Sequence, residues 1–222
     1  MSAPLPWRAL TAEFVGTAFL LAGVVGSGIM AERLSEDVGL QLFQNAFATA
    51  GVLVALILAF GPASGAHFNP AVTLAERLMG GMNTVRALAY VAAQVAGGIV
   101  GIMVANLMFD LPAVNWSTKE RSDPSLVFAE MVATFGLIVV IYGVVRSGEG
   151  RAAAFAVGGY IAGAYYFTSS TSFANPAVTV ARTLSDTFAG IEPASAPAFI
   201  AAQLVASALA VVVIRIIYPV RR

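Results

Sequence analysis

Residues 67–77 read HFNPAVTLAER, and residues 172–182 read SFANPAVTVAR. One Asn-Pro-Ala is an ordinary helix start. Asn is among the best N-caps, and Pro suits the first helical position because its missing N–H would be unpaired there. The second copy, with Asn175 lying 106 positions after Asn69, asks for a different explanation. Asn69-Pro70-Ala71 and Asn175-Pro176-Ala177 open two short helices in a chain otherwise made of long apolar runs.

Those runs decide the class. Of 222 residues, 59% are hydrophobic and 11% charged, with a mean hydropathy of +0.83; a soluble domain keeps roughly a quarter of its residues charged. A helix of about 20 apolar residues crosses a bilayer. Six stretches reach that scale: 7–30, 40–61, 84–109, 125–146, 152–171 and 196–218. AERLSEDVG, DLPAVNWSTKERSDPS, RSGEGR and SDTFAGIEPAS separate most of them. The chain reads as an integral membrane protein, a single domain over 1–222. MSAPLPWR leads into an apolar stretch longer than a signal peptide's core, without a clear cleavage site, and so reads as part of a retained span. Twelve basic and twelve acidic residues cancel, which gives no footprint for nucleic acid. Without cysteine there is no disulfide, thiol nucleophile or Cys-based metal site. A single histidine makes an intramembrane enzyme a poor reading, so no catalytic residue, metal or cofactor is expected.

The two halves match. AEFVGTAFLL (12–21) answers AEMVATFGLI (129–138), NPAVTLA answers NPAVTVA, and AAQVAGG (92–98) answers AAQLVAS (201–207). Their order agrees, at offsets of 117, 106 and 109. The repeat halves, approximately 7–109 and 125–218, each hold three spans, an odd number, so the second enters the membrane inverted. Short Pro-marked apolar segments at matching places in two halves are the mark of half-spanning helices. The expected fold is an all-α membrane protein with six transmembrane helices and two re-entrant half-helices in an inverted repeat. With both termini inside, Arg8, Arg77, Arg86, Arg146, Arg151, Arg215, Arg221 and Arg222 are cytoplasmic. Arg33, Lys119, Arg121 and Arg182 are then outside, an imbalance that favours this orientation in the cell's inner or plasma membrane.

In an inverted repeat the two half-helices start from opposite faces and meet near the midplane. Irregular backbone survives there only when buried in protein or lining a wet cavity. The carbonyls of GPASGAH and TSSTSFA are expected to form acceptor ladders along a narrow path. Two helix N-termini, each carrying roughly half a positive charge, and two Asn amides repel cations while donating to a neutral hydroxylated solute.

SGAHFNPAVT and SFANPAVTVAR, on six spans with paired AE motifs, resemble the major intrinsic proteins, the aquaporins and aquaglyceroporins. The resemblance covers about residues 7–218 and implies an hourglass channel, one pore per subunit, in a homotetramer. It also implies a second constriction nearer the outside. Counted from the two motifs, that constriction falls on Thr49, Gly163, Ser172 and Val178. Water-selective members have an aromatic, His and Arg at the first, second and fourth of these positions. Glycerol channels keep the Arg and usually follow it with Asp, where this chain has Thr179. Bulk and charge are therefore missing together, and a wider, less polar path follows unless a neighbouring side chain refills the space. Bacterial aquaglyceroporins with Val in place of that Arg are associated with metalloid permeation. The resemblance thus implies passive passage of water and small uncharged solutes. Arsenous and antimonous acids and glycerol are candidates beside urea.

Other polar residues keep two readings each. Arg182, four residues after Val178 and on the same helical face, either returns a cation to the outer vestibule or binds helix-end carbonyls or Asp186. Glu13 and Glu130 are intramembrane acids and hence functional candidates by default; in the family fold their equivalents support the re-entrant loops. His67 gates by protonation or stands fixed in the pore wall. Gly97/Gly101 and Gly159/Gly163 have the small-xxx-small spacing of close helix contacts. Two rivals stay open: a proton-coupled solute transporter working through Glu13 or Glu130, and a non-conducting structural membrane protein. On the channel reading, Val178→Arg sharply reduces arsenite and glycerol flux in proteoliposomes while water still moves. Little loss of stability is expected, because the new side chain would project into water.

Overall fold

The computed structural model describes residues 6–219, so Arg221, Arg222 and residues 1–5 of the MSAPLPWR lead lie outside the described residues. Among the described residues eight α-helices follow in chain order: α1 Trp7–Leu34, α2 Val38–Ser64, α3 Pro70–Met79, α4 Thr84–Met108, α5 Pro124–Arg146, α6 Ala153–Phe167, α7 Pro176–Ala181 and α8 Ala196–Ile217. Their ends follow local chemistry. The Asp37 and Asn83 side chains accept the N–H groups of Leu40 and Arg86 at 3.0 and 2.9 Å, capping α2 and α4. Gly65 and Gly80 close α2 and α3 at φ 90° and 88°, a left-handed turn that glycine makes without a Cβ clash.

α3 and α7 are the two half-helices, and the other six are the spans. Of these, α1, α2, α4, α5 and α8 are long and apolar enough to cross a membrane on length and composition. The sixth departs from expectation. The stretch expected over 152–171 is α-helical only over Ala153–Phe167, about 22 Å at 1.5 Å per residue, after a 3-10 turn at Gly150–Ala152. Beyond it Thr168 is extended and the Thr171 N–H bonds the Thr168 carbonyl at 3.1 Å. The chain is already turning back into the protein. The opposite difference occurs in α2, which continues past Gly61 through Pro62 to Ser64. Membrane helices tolerate such a proline because neighbours re-satisfy the freed groups. Only the end of GPASGAH is therefore irregular backbone.

Packing repeats the duplication: α1 lies on α4, and α5 lies on α8. The first crossing is close because of two glycines. A Cβ on Gly97 would stand 2.2 Å from the Phe14 carbonyl oxygen, and one on Gly101 2.1 Å from that of Ala18. The second glycine pair does not do this. Gly159 has open space where a Cβ would go, and Gly163 meets only the Phe167 ring at 3.9 Å. Gly158 makes the close approach, its Cβ position lying 3.0 Å from the Ala50 carbonyl of α2. Two residues along a helix turn through about 200°, which sends Gly163 away from the face that Ile161 and Tyr165 bury. Polarity is inverted relative to a soluble protein. Phe19, Phe47, Leu88, Phe128 and Phe155 are exposed, while Glu13, Thr73, Gln94, Glu130, Thr179 and Gln203 are fully buried.

The buried acids hold the half-helices in place. Glu13 on α1 accepts from the backbone N–H groups of His67 and Phe68 at 3.0 and 2.7 Å. It also accepts from Ser64 Oγ at 2.6 Å and Gln94 Nε2 at 2.7 Å. Glu130 on α5 repeats the set: Phe173 and Ala174 N–H at 2.8 Å each, with Ser170 Oγ and Gln203 Nε2 at 2.6 Å each. Charge-assisted bonds of this kind contribute roughly 1.5–3 kcal/mol apiece. Glu13→Gln or Glu130→Gln turns an amide N–H₂ toward backbone N–H donors. Each is expected to lose on the order of 3 kcal/mol, lowering the melting temperature in detergent by about 6–12 °C and reducing yield more than it alters selectivity. Unchanged stability with abolished transport would oppose this account.

Candidate pore and its constriction

A cavity of about 320 Å³ runs between the halves. Its lining includes Arg182 and Tyr165, then Asn69 and Asn175, then Glu76 and Tyr142. Both motif asparagines thus face one lumen. Asn69 Oδ1 accepts the Ala71 N–H at 2.8 Å, and Asn175 Oδ1 accepts those of Ala177 and Val178 at 3.0 and 3.3 Å. Each caps its own half-helix. Their amides also cross between loops: Asn69 Nδ2 donates to the Ala174 carbonyl and Asn175 Nδ2 to the Phe68 carbonyl, both at 2.8 Å. An amide nitrogen carries two N–H groups, so one from each remains available to the lumen.

The approach to each cap is backbone in an unfavourable conformation. Ala66 and Phe68 both have φ 50°, and their repeat mates Ser172 and Ala174 have φ 52° and 47°. Non-glycine residues in the left-handed region store on the order of 1–3 kcal/mol each. These left-handed residues, ahead of each extended asparagine cap, turn successive peptide groups of Gly65–Phe68 and Ser172–Ala174 to the cavity wall, where all of these residues lie. The same conformation delivers the N–H groups of 67–68 and 173–174 to the two glutamates.

The cavity lining differs from the counted set at one position. Thr49, Ser172 and Val178 line the cavity, but Gly163 does not; it is exposed on the outer face of α6. Tyr165 occupies the lumen face instead, its Oη 3.1 Å from Thr49 Oγ1. Arg182 is buried, lines the cavity, and sets its guanidinium carbon 3.4 Å from the centre of the Phe173 ring. Side chains beside the counted positions thus reach the cavity wall: Tyr165 brings an aromatic and Arg182 a guanidinium. Val178 is only 5% exposed and belongs to the main apolar cluster with Leu21, Phe173 and Ala181. An arginine in its place would crowd these side chains, so Val178→Arg is expected to cost appreciable stability instead of little.

The Major intrinsic protein family model matches residues 1–152. The aquaglyceroporin AqpS of Rhizobium meliloti (strain 1021) is 48% identical over 208 residues, covering 94% of this chain and 89% of that protein. The chain belongs to the major intrinsic protein family. Aquaporin NIP1-4 of Oryza sativa subsp. japonica is 36% identical over 183 residues, 79% of this chain and 65% of its own. The X-ray structure of the aquaglyceroporin from Plasmodium falciparum superimposes with a TM-score of 0.77 at 20% identity, over 96% of this chain and 97% of that one. This is accordingly an integral membrane protein of a family of passive channels for water and small solutes, not of enzymes.

In this major intrinsic protein the remaining candidates find definite places. His67 lines the cavity with Nδ1 3.1 Å from Thr73 Oγ1 and its ring 5.4 Å from that of Tyr90. Arg182 Nε donates to the Ala189 carbonyl in the loop before α8, while Asp186 instead accepts the Thr118 N–H at 2.9 Å. Sequence reasoning missed Tyr165, and it used Gln94 and Gln203 only as repeat markers. Two glutamines at matched positions inside apolar spans were themselves the signal, since a buried amide requires a partner. Gly163→Ala is expected to leave glycerol flux unchanged. Tyr165→Ala should raise it several-fold, read by light scattering of proteoliposomes. The reverse result would return Gly163 to the constriction.

Proposed function

We propose that this protein is an aquaglyceroporin-type channel for water and small uncharged hydroxylated solutes, with arsenous- and antimonous-class acids and glycerol among them. The carrying observation is the two-sided lumen. Asn69, Asn175 and the re-entrant backbone supply donors and acceptors, while Leu20, Val24, Leu53, Val157 and Ile161 supply an apolar wall. A glycerol molecule presents hydroxyls along one edge and C–H groups along the other, and a neutral trihydroxy acid of arsenic is of similar size and polarity. The aquaglyceroporin name borne by the Rhizobium meliloti relative supports the same class.

The geometry also favours exclusion of protons. A water accepting one N–H from each asparagine must turn its own hydrogens outward, toward the carbonyls on either side, and no continuous proton wire then passes the pair. Glu13 and Glu130 already accept from four donors each, which argues for a structural role over proton coupling. We place both termini in the cytoplasm of an inner or plasma membrane. We also infer a homotetramer: Gly51, Gly159 and Gly163 face outward on α2 and α6, and small residues allow close helix approach in lipid.

Stopped-flow light scattering on proteoliposomes with water, glycerol, urea and arsenite tests the reading. Flux is expected to be downhill and indifferent to an imposed pH gradient. Uphill accumulation driven by that gradient would establish a coupled transporter, and a closed path for every solute would indicate a structural membrane protein.

A further inference from the structure

We propose that the cation of the constriction has been moved one helical turn, from position 178 to Arg182, and that Arg182 is the residue that keeps this pore selective against cations. The inference rests on the channel reading above. Residues 178 and 182 are four apart across the end of α7 and the 3-10 turn Arg182–Leu184, so they share one face. Both line the cavity, as do Thr49 and Tyr165, which hydrogen-bond each other beside them. The Arg182 guanidinium lies over Phe173, in the re-entrant loop two residues before Asn175.

Its hydrogen bonding leaves it free to act on solutes. An arginine has five N–H donors in a fixed fork. Among the described residues the only acceptor bonded to the Arg182 side chain is the Ala189 carbonyl, reached from Nε. That bond orients the side chain without neutralising it, because the partner is a carbonyl and not a carboxylate. The Nη groups remain for the lumen. A fixed guanidinium there repels a hydrated cation or a hydronium ion, while it donates to the oxygen of a neutral polyol or acid.

Arg121 is the obvious competitor, with its guanidinium carbon 5.0 Å from the same Phe173 ring. Two of its five donors are engaged in the loops, however: Nε holds the Gly190 carbonyl at 3.0 Å and Nη1 the Ser170 carbonyl at 3.3 Å. It is also absent from the cavity lining. Arg121 therefore belongs to the loop scaffold, and Arg182 to the path. Val178 is the complement of this arrangement. Its short side chain sits in the same apolar cluster as Phe173 and adds no second cation beside Arg182. Arginine at both positions would place two like charges side by side within a buried site.

The test couples the two positions. In proteoliposomes, Arg182→Gln is expected to raise the ratio of potassium and proton leak to glycerol flux by on the order of tenfold or more. Combining Val178→Arg with Arg182→Val, so that the pair is exchanged, should bring the ratio back toward that of the parent. Purified in detergent, Val178→Arg alone should melt well below the parent, and the exchanged pair should recover much of the loss, a coupling that a double-mutant cycle reads directly. A leak ratio unchanged by Arg182→Gln would assign cation exclusion to the paired half-helices and overturn the proposal. If Arg182→Gln cannot be reconstituted, the melting cycle decides, and additive effects at 178 and 182 overturn it equally. A parent that passes no glycerol would sink the channel reading instead, an outcome seen in the unmutated control.

Discussion

Backbone that enters a membrane without crossing it carries N–H groups that lipid cannot bond, and everything in this fold follows from where those groups go. Two carboxylates take them. Glu13 and Glu130 sit on the first helix of each half and each accept two adjacent loop N–H groups. An isolated carboxylate at that depth would cost several kcal/mol in desolvation. Here a glutamine and a serine complete its hydrogen-bond shell in both halves. The loop and the acid are each untenable alone and stable together.

That mutual dependence explains the strained conformations. To aim two consecutive N–H groups at one carboxylate, the chain takes left-handed residues at Ala66 and Phe68 and again at Ser172 and Ala174. The carbonyls left over have no helix to enter. Those of Phe68 and Ala174 are taken by the asparagine of the opposite loop, so each half-helix cap is also a tie across the pseudo-twofold axis. One asparagine therefore performs three tasks. It starts a helix, locks the two repeats in register, and keeps one N–H for the lumen.

Much of this was legible in the chain. The fold class followed from composition and from six apolar runs, and the inverted repeat from matched AE, NPA and AAQ segments, because those segments carry the residues that hold the loops. Glu13, Glu130, Asn69 and Asn175 were legible for the same reason: an unpaired acid or amide inside an apolar span has to be explained. What was not legible is helical phase. The end of α6 at Phe167 and the turn at Thr168–Thr171 could not be read from alanine, glycine and tyrosine in a run that is apolar throughout. Counting back from Asn175 therefore landed on Gly163, facing out, instead of Tyr165, facing in. With no polar face to set the phase, a shift of two residues exchanges lumen for exterior.

The same reasoning separates what a constriction needs from where it keeps it. A selective narrow point in a pore of this kind requires a bulky wall, a hydroxyl or two, and a fixed charge in surroundings of low dielectric, where its influence is not screened away. None of these requirements names a position. Here the bulk comes from Tyr165, the hydroxyls from Thr49 and Tyr165, and the charge from Arg182, all within one buried cluster around Phe173. Read position by position, Thr49, Gly163 and Val178 suggest that the aromatic, the His and the charge have been deleted. Read as a volume, the site has been rebuilt from the next available residues on the same two elements. Because Phe173 also gives its N–H to Glu130, the ring beneath the guanidinium is fixed by the interaction that anchors the half-helix. Selectivity and folding thus share a support, and a change at the constriction is transmitted to stability through one aromatic side chain.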